Sequence, residues 1–142
     1  MSGTASARSI SVPAMKTPQE IHDDLAEFCR FTYPQEPGFI RVTVEPHLLN
    51  VAGMLSGVVS YAMVDYAMGT ALWQQVTEEE AIATLNISVN YLATVTEGDI
   101  VCRGQVDRRN RRVGVTRATV ESEAGVLLMT AIGSYSIFPR KA

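Results

Sequence analysis

The segment from Ser56 to Gln74 carries apolar or small side chains almost all the way round a helical wheel, among them Val58, Val59, Tyr61, Met63, Val64, Tyr66, Met68 and Leu72. A surface helix shows a single apolar stripe, so a helix greasy on every side has to be enclosed by the rest of the fold. Gly57, Ser60 and Gly69 within it point to close approach of other backbone rather than to helix propensity. What can enclose it comes next in the chain. Leu85, Ile87, Val89 and Tyr91 alternate with Asn86, Ser88 and Asn90, and the same alternation returns at 100–106, 113–120 and 126–137. Turn residues separate these runs at Glu97-Gly98-Asp99, Arg109-Asn110-Arg111 and Glu123-Ala124-Gly125. One more strand, Phe39 to Val44, precedes the helix, with Ile40, Val42 and Val44 on its apolar face. Strands that follow one another imply an antiparallel sheet. The predicted class is therefore α+β, with that sheet wrapped around one long central helix.

Residues 1–16 lack periodicity and read as a disordered tail, leaving 17–142 as a single domain. Thr17 and Glu20 have capping-box spacing with Pro18 at the first helical position, so a short helix is predicted there. Ile21, Leu25 and Phe28 form its apolar face, and it should stop near Tyr33-Pro34. A chain of 142 residues can bury a core without disulfides or a structural metal, so Cys29 and Cys102 read as buried thiols of a cytoplasmic protein. No apolar run is long enough to cross a bilayer and no secretion signal is recognised, so no membrane partner is expected. The net charge of −3 gives no reason to expect nucleic acid. Thr77-Glu78-Glu79-Glu80 reads as a solvated acidic face, and no metal is expected.

Asp65 stands out in the middle of the apolar helix, flanked by Met63, Val64, Tyr66 and Ala67. A carboxyl group there must be hydrogen-bonded, face a cavity or be protonated. At the start of the same helix, Ser56-Gly57 brings free backbone N–H groups, which favour negative charge developing on an oxygen. Gly57 leaves room for a carbonyl to approach that backbone. Asp65 lies roughly 12 Å further along the axis at the standard helical rise, too far for both to act on one atom. A second copy of the helix running the opposite way removes the difficulty, so a site across a dimer is expected.

The pattern Asn50-x-x-Gly53-x-x-Ser56-Gly57-x(7)-Asp65-x-x-x-Gly69 resembles the hotdog thioesterases. The likeness is to the phenylacetyl-CoA thioesterase-like (PaaI-type) branch of the 4-hydroxybenzoyl-CoA thioesterase superfamily. It extends from about Pro46 to Ser136 and includes Thr84 to Leu92 and the Glu97-Gly98-Asp99 turn. The resemblance implies a hotdog fold and a cytoplasmic hydrolase of aryl- or fatty-acyl-CoA thioesters, assembled as a homodimer or homotetramer. Coenzyme A enters as part of the substrate and no separate cofactor is implied. Asp65 becomes the catalytic carboxylate, as general base or nucleophile. The Gly57 N–H polarises the thioester carbonyl, Asn50 orients the acyl group or the water, and Thr84 helps to hold that water from the partner subunit. Strand propensity accounts equally well for a threonine at 84.

Where the family usually has His-Gly-Gly, this chain has Ser56-Gly57-Val58, so Ser56 and Val58 line the implied substrate site in altered form. His22 and His47 lie elsewhere and do not supply the missing group. A non-catalytic acyl-CoA-binding or regulatory protein is the alternative this substitution raises. A hydratase is disfavoured because no histidine is placed beside the acid. Arg108, Arg109, Arg111 and Arg112 surround a hairpin turn, where solvated charge is the default. The family places a basic residue nearest Arg111, and forked donors suit phosphates, so Arg111 and Arg109 are the candidates for the phosphates of coenzyme A.

Overall fold

In the computed structural model, which describes residues 24–32 and 36–141, the apolar segment is the 17-residue helix α2 (Gly57–Trp73). It follows α1 (Asp24–Cys29), β1 (Phe39–Val44) and a 3-10 turn at Pro46–Leu48. After it come β2 (Glu80–Tyr91), β3 (Gly98–Arg109), β4 (Val113–Ser122) and β5 (Leu127–Pro139). The strands form one antiparallel sheet in the order β1-β3-β4-β5-β2, curled around α2. This is the hotdog architecture. Ile40, Val42, Ile100, Cys102, Val120 and Met129 turn inward and bury Met63, Val64, Ala67, Met68 and Leu72 of the helix. Gly104 lets β3 lie close against the helix backbone, since a Cβ there would lie 2.6 Å from the carbonyl carbon of Ala67.

The helix α1 departs from its predicted form. Its expected start at Thr17 to Glu20 and its apolar position Ile21 lie outside the described residues, as do the tail and Tyr33-Pro34. It ends earlier than a proline stop requires, because Arg30 takes a left-handed conformation (φ 55°). Phe31 N–H then bonds the Ala26 carbonyl (3.0 Å) and Arg30 N–H bonds that of Glu27 (3.1 Å), a Schellman closure. The Arg30 guanidinium is held by Glu45 at 2.6 Å. Ala26 and Cys29 enter the core, whereas Leu25 and Phe28, the expected inner face, are exposed. Small side chains let so short a helix dock closely. Phe28 instead meets the His47 ring edge-on, with centroids 5.0 Å apart.

Two further departures bear on the site. One flank of α2 is not enclosed within a single chain: Val58 is 74% exposed. In β2 a bulge skips Leu85, pairing Thr84 with Tyr135 and Asn86 with Ser134. Strict alternation would put Thr84 on the outer face with Asn86 and Ser88. The extra residue reverses the parity, so Thr84 faces the helix and Leu85 turns out, 59% exposed.

Candidate active site

Asp65 lies halfway along α2 on the side facing β2 and β5, half-buried. Its Oδ1 accepts hydrogen bonds from the Thr84 hydroxyl (2.9 Å) and the Tyr135 phenol (2.8 Å). The same phenol lies 2.9 Å from the Asp65 main-chain carbonyl. Among the described residues no hydrogen bond reaches Oδ2. The carboxylate borders a cleft of about 420 Å³ whose other walls include Leu25, Tyr66, Trp73 and Ile82. Such a cleft offers apolar and aromatic contact around one oriented carboxylate. Burial, then the charge of Asp65, pushes the Tyr135 phenol far above the usual tyrosine range, which keeps it a proton donor.

Asn50 and Gly57 line a different cleft, of about 340 Å³, which shares no wall residue with the first. Asn50 Oδ1 accepts from the Ala52 N–H (2.9 Å) and the Met54 N–H (3.2 Å), shaping the loop before α2. That use of the oxygen leaves the side-chain NH₂ as the group of Asn50 available to a ligand. Gly57 opens α2, where first-turn amides have no acceptor inside the helix. On the side where a Cβ would stand, the space is not vacant. The Tyr91 ring fills it, 3.2 Å from where a Cβ would lie, and the Tyr91 hydroxyl donates to the Gly57 carbonyl at 2.7 Å. Ser56 is the N-cap residue, yet its hydroxyl makes no capping bond. Val58 projects outward beside them.

The arginines fall into two groups. Arg109 donates to both oxygens of Glu80, at 2.5 and 2.6 Å, in a partly buried ion pair. Glu80 is therefore not part of a purely solvated acidic face. The Thr77 N–H, and then Arg109, hold it below the usual carboxylate range. Arg111 and Arg112 are exposed on the same side, where with Arg109, Glu79, Ser136 and Phe138 they line a cleft of about 820 Å³. No cluster of three His, Cys, Asp or Glu side chains among the described residues could hold a metal ion. Cys29 and Cys102 are buried and are not joined in a disulfide. No helix among the described residues is long and apolar enough to cross a membrane.

Tyr135 and Tyr91 escaped the sequence reading. Each looked like one more apolar residue of an alternating strand. A tyrosine at an inward position, where its hydroxyl needs a partner, was the available signal.

A long helix wrapped by one antiparallel sheet defines the hotdog class, and here the helix carries a carboxylate at its midpoint. The thioesterase superfamily model matches residues 52–129, a span that includes Gly57, Asp65, Thr84 and Arg111. The chain belongs to that superfamily. Comparison with curated proteins gives no match. Among solved structures, it is similar to a thioesterase from Haemophilus influenzae, with TM-score 0.74, 18% identity, and coverage of 83% of this chain and 85% of that one. It is similar to a Bacillus halodurans protein solved with CoA, with TM-score 0.78, 16% identity and coverage of 84% and 79%. A thioesterase family protein from Silicibacter pomeroyi gives TM-score 0.73, 21% identity and coverage of 82% and 90%.

Proposed function

We propose that the protein is an acyl-CoA thioesterase acting on aryl- or fatty-acyl esters in the cytoplasm, with each site shared between two copies of the chain. The observation that carries the reading is the Asp65 carboxylate, with one oxygen held by two hydroxyls and the other left for a ligand in an apolar cleft. In this reading the acyl group occupies that cleft. Asp65 takes a proton from water, whose oxygen attacks the thioester carbonyl carbon, or attacks that carbon itself. The C–S bond breaks, the thiolate of coenzyme A leaves and takes up a proton, and the acid is released, after hydrolysis of an anhydride if Asp65 was the nucleophile. The Gly57 N–H of the second copy stabilises negative charge on the carbonyl oxygen, and Asn50 and Ser56 of that copy contact the substrate.

Two features support the shared site. Asp65 and Gly57 line separate clefts of one chain. The strand β2 ends the sheet, and Val58, Leu85, Tyr91 and Leu92 are exposed along it and the nearby start of α2. A bare strand edge beside apolar side chains favours pairing with another copy. Arg111 is assigned to the phosphates of coenzyme A, while Arg109 is already paired with Glu80. From Thr84 to Glu80 the strand runs about 13 Å, linking the Asp65 cleft to the one lined by Arg111.

Purified protein is expected to release free thiol from benzoyl-CoA, phenylacetyl-CoA or octanoyl-CoA, with Asp65→Asn slower by roughly a thousandfold. Silence on all these esters, or full activity in Asp65→Asn, would sink the proposal. The Ser56-Gly57-Val58 sequence favours a second reading, a protein that binds acyl-CoA without hydrolysing it. Calorimetric binding of octanoyl-CoA with no thiol release selects that reading.

A further inference from the structure

We propose that Tyr135 is a positioning residue for this reaction: with Thr84 it fastens Oδ1 of Asp65 and thereby assigns the chemistry to Oδ2. The inference rests on the thioesterase reading above. A carboxylate has two nearly equivalent oxygens, and free rotation about its last bond would exchange them in the cleft. Here Oδ1 receives one hydroxyl from β2 at 2.9 Å and another from β5 at 2.8 Å. Rotation would break both bonds at once. The Tyr135 proton is shared with the Asp65 carbonyl at 2.9 Å, so the phenol grips side chain and helix backbone together.

The strand that carries the phenol cannot easily move. Tyr135 is 2% exposed, and β5 is paired on one side with β4 and on the other with β2. Thr84 is the opposite case, an exposed residue on the edge strand. The rigid half of the clamp is therefore Tyr135. Water or a thioester entering the cleft meets Oδ2, which has no bond among the described residues to give up. The sequence resemblance assigns nothing to residue 135.

The test uses the full-length protein and benzoyl-CoA or octanoyl-CoA, whichever the wild type hydrolyses faster. Tyr135→Phe keeps the ring and removes the donor, and circular dichroism checks that the variant is folded. Expected is a fall in kcat of about tenfold or more, the loss of one hydrogen bond to a charged group, with KM within about twofold. In an Asp65→Asn background the same substitution is expected to change the residual rate by less than about twofold, since the ionised carboxylate that the phenol orients is gone. A residue that only packed the core would lower the rate equally in both backgrounds. Proton NMR supplies a readout independent of turnover: a slowly exchanging hydroxyl resonance, absent from Tyr135→Phe and shifted upfield in Asp65→Asn. An unchanged kcat in Tyr135→Phe, an equal loss in both backgrounds, or no such resonance overturns the inference. A wild type inert on both esters overturns instead the reading beneath it, and the two failures are distinct because the Tyr135 variant then has no rate to lose.

Discussion

The phenol oxygen of Tyr135 lies 2.8 Å from Oδ1 of Asp65, joining the last strand to the middle of the central helix across 70 residues of sequence. Only a sheet that has closed around the helix can bring them together. Folding and assembly of the Asp65 site are thus one event: until β5 docks, Asp65 lacks one of its two hydroxyl donors.

A site shared between copies has a consequence that a self-contained site lacks. Asp65→Asn and Asn50→Ala proteins, each inactive alone, should regain activity when unfolded together and refolded. With twofold symmetry and random pairing, the mixture recovers roughly a quarter of the wild-type rate, because half the dimers carry one intact site of two. Thiol release from the mixture, compared with each variant refolded alone, decides the matter. A mixture no faster than its components places the whole site within one chain.

Arg109 and Arg111 should separate in experiment, although they flank one turn. Arg111→Ala is expected to raise KM roughly tenfold and leave kcat alone, through loss of a charged contact to phosphate. Arg109→Ala should chiefly lower the melting temperature, since its guanidinium is committed to Glu80. Steady-state kinetics and thermal melts of the two variants check this. Equal effects on KM would remove the distinction.

The Glu80 pair also sets a pH dependence. The Thr77 N–H and Arg109 lower its folded-state value from 4.5, so the unfolded chain binds the proton more readily. Its contribution to stability is present above that value and is lost as pH falls through the lower, folded one. Melting temperatures of wild type and Glu80→Gln should therefore differ most above pH 4.5 and converge as the solution is made more acidic. A gap that widens toward acid contradicts the assignment.

Packing at Gly104 offers a stability test remote from the chemistry. A methyl group there would lie 2.6 to 2.8 Å from backbone atoms of Ala67 and Met68, which cannot swing aside as a side chain can. Gly104→Ala should cost roughly 1–3 kcal/mol, read as a lowered urea midpoint with unchanged slope. An unaltered midpoint would mean that β3 and α2 separate at no cost.

Much of this was legible from residue order alone. The all-round apolar segment predicted Ser56 to Gln74 as a buried helix, and α2 runs from Gly57 to Trp73. The alternating runs predicted the strands because burying one face leaves a period of two in the sequence. Asp65 stood out because a carboxylate among Met63, Val64 and Tyr66 costs too much to be incidental. The α1 face was misread because Leu25 and Phe28 have the right spacing, while docking selected the small residues Ala26 and Cys29.

What residue order determined here is whatever depends on local periodicity and on the cost of burying charge: the elements, their sequence and the one unusual acid. What only the tertiary structure decided is which side chains meet that acid. Thr84 reaches Asp65 because a bulge at Leu85 reverses the strand's parity, and Tyr135 reaches it because β5 pairs beside β2. Neither contact has a local signature, since each depends on strand register, and register is chosen by the packing of the whole sheet around the helix.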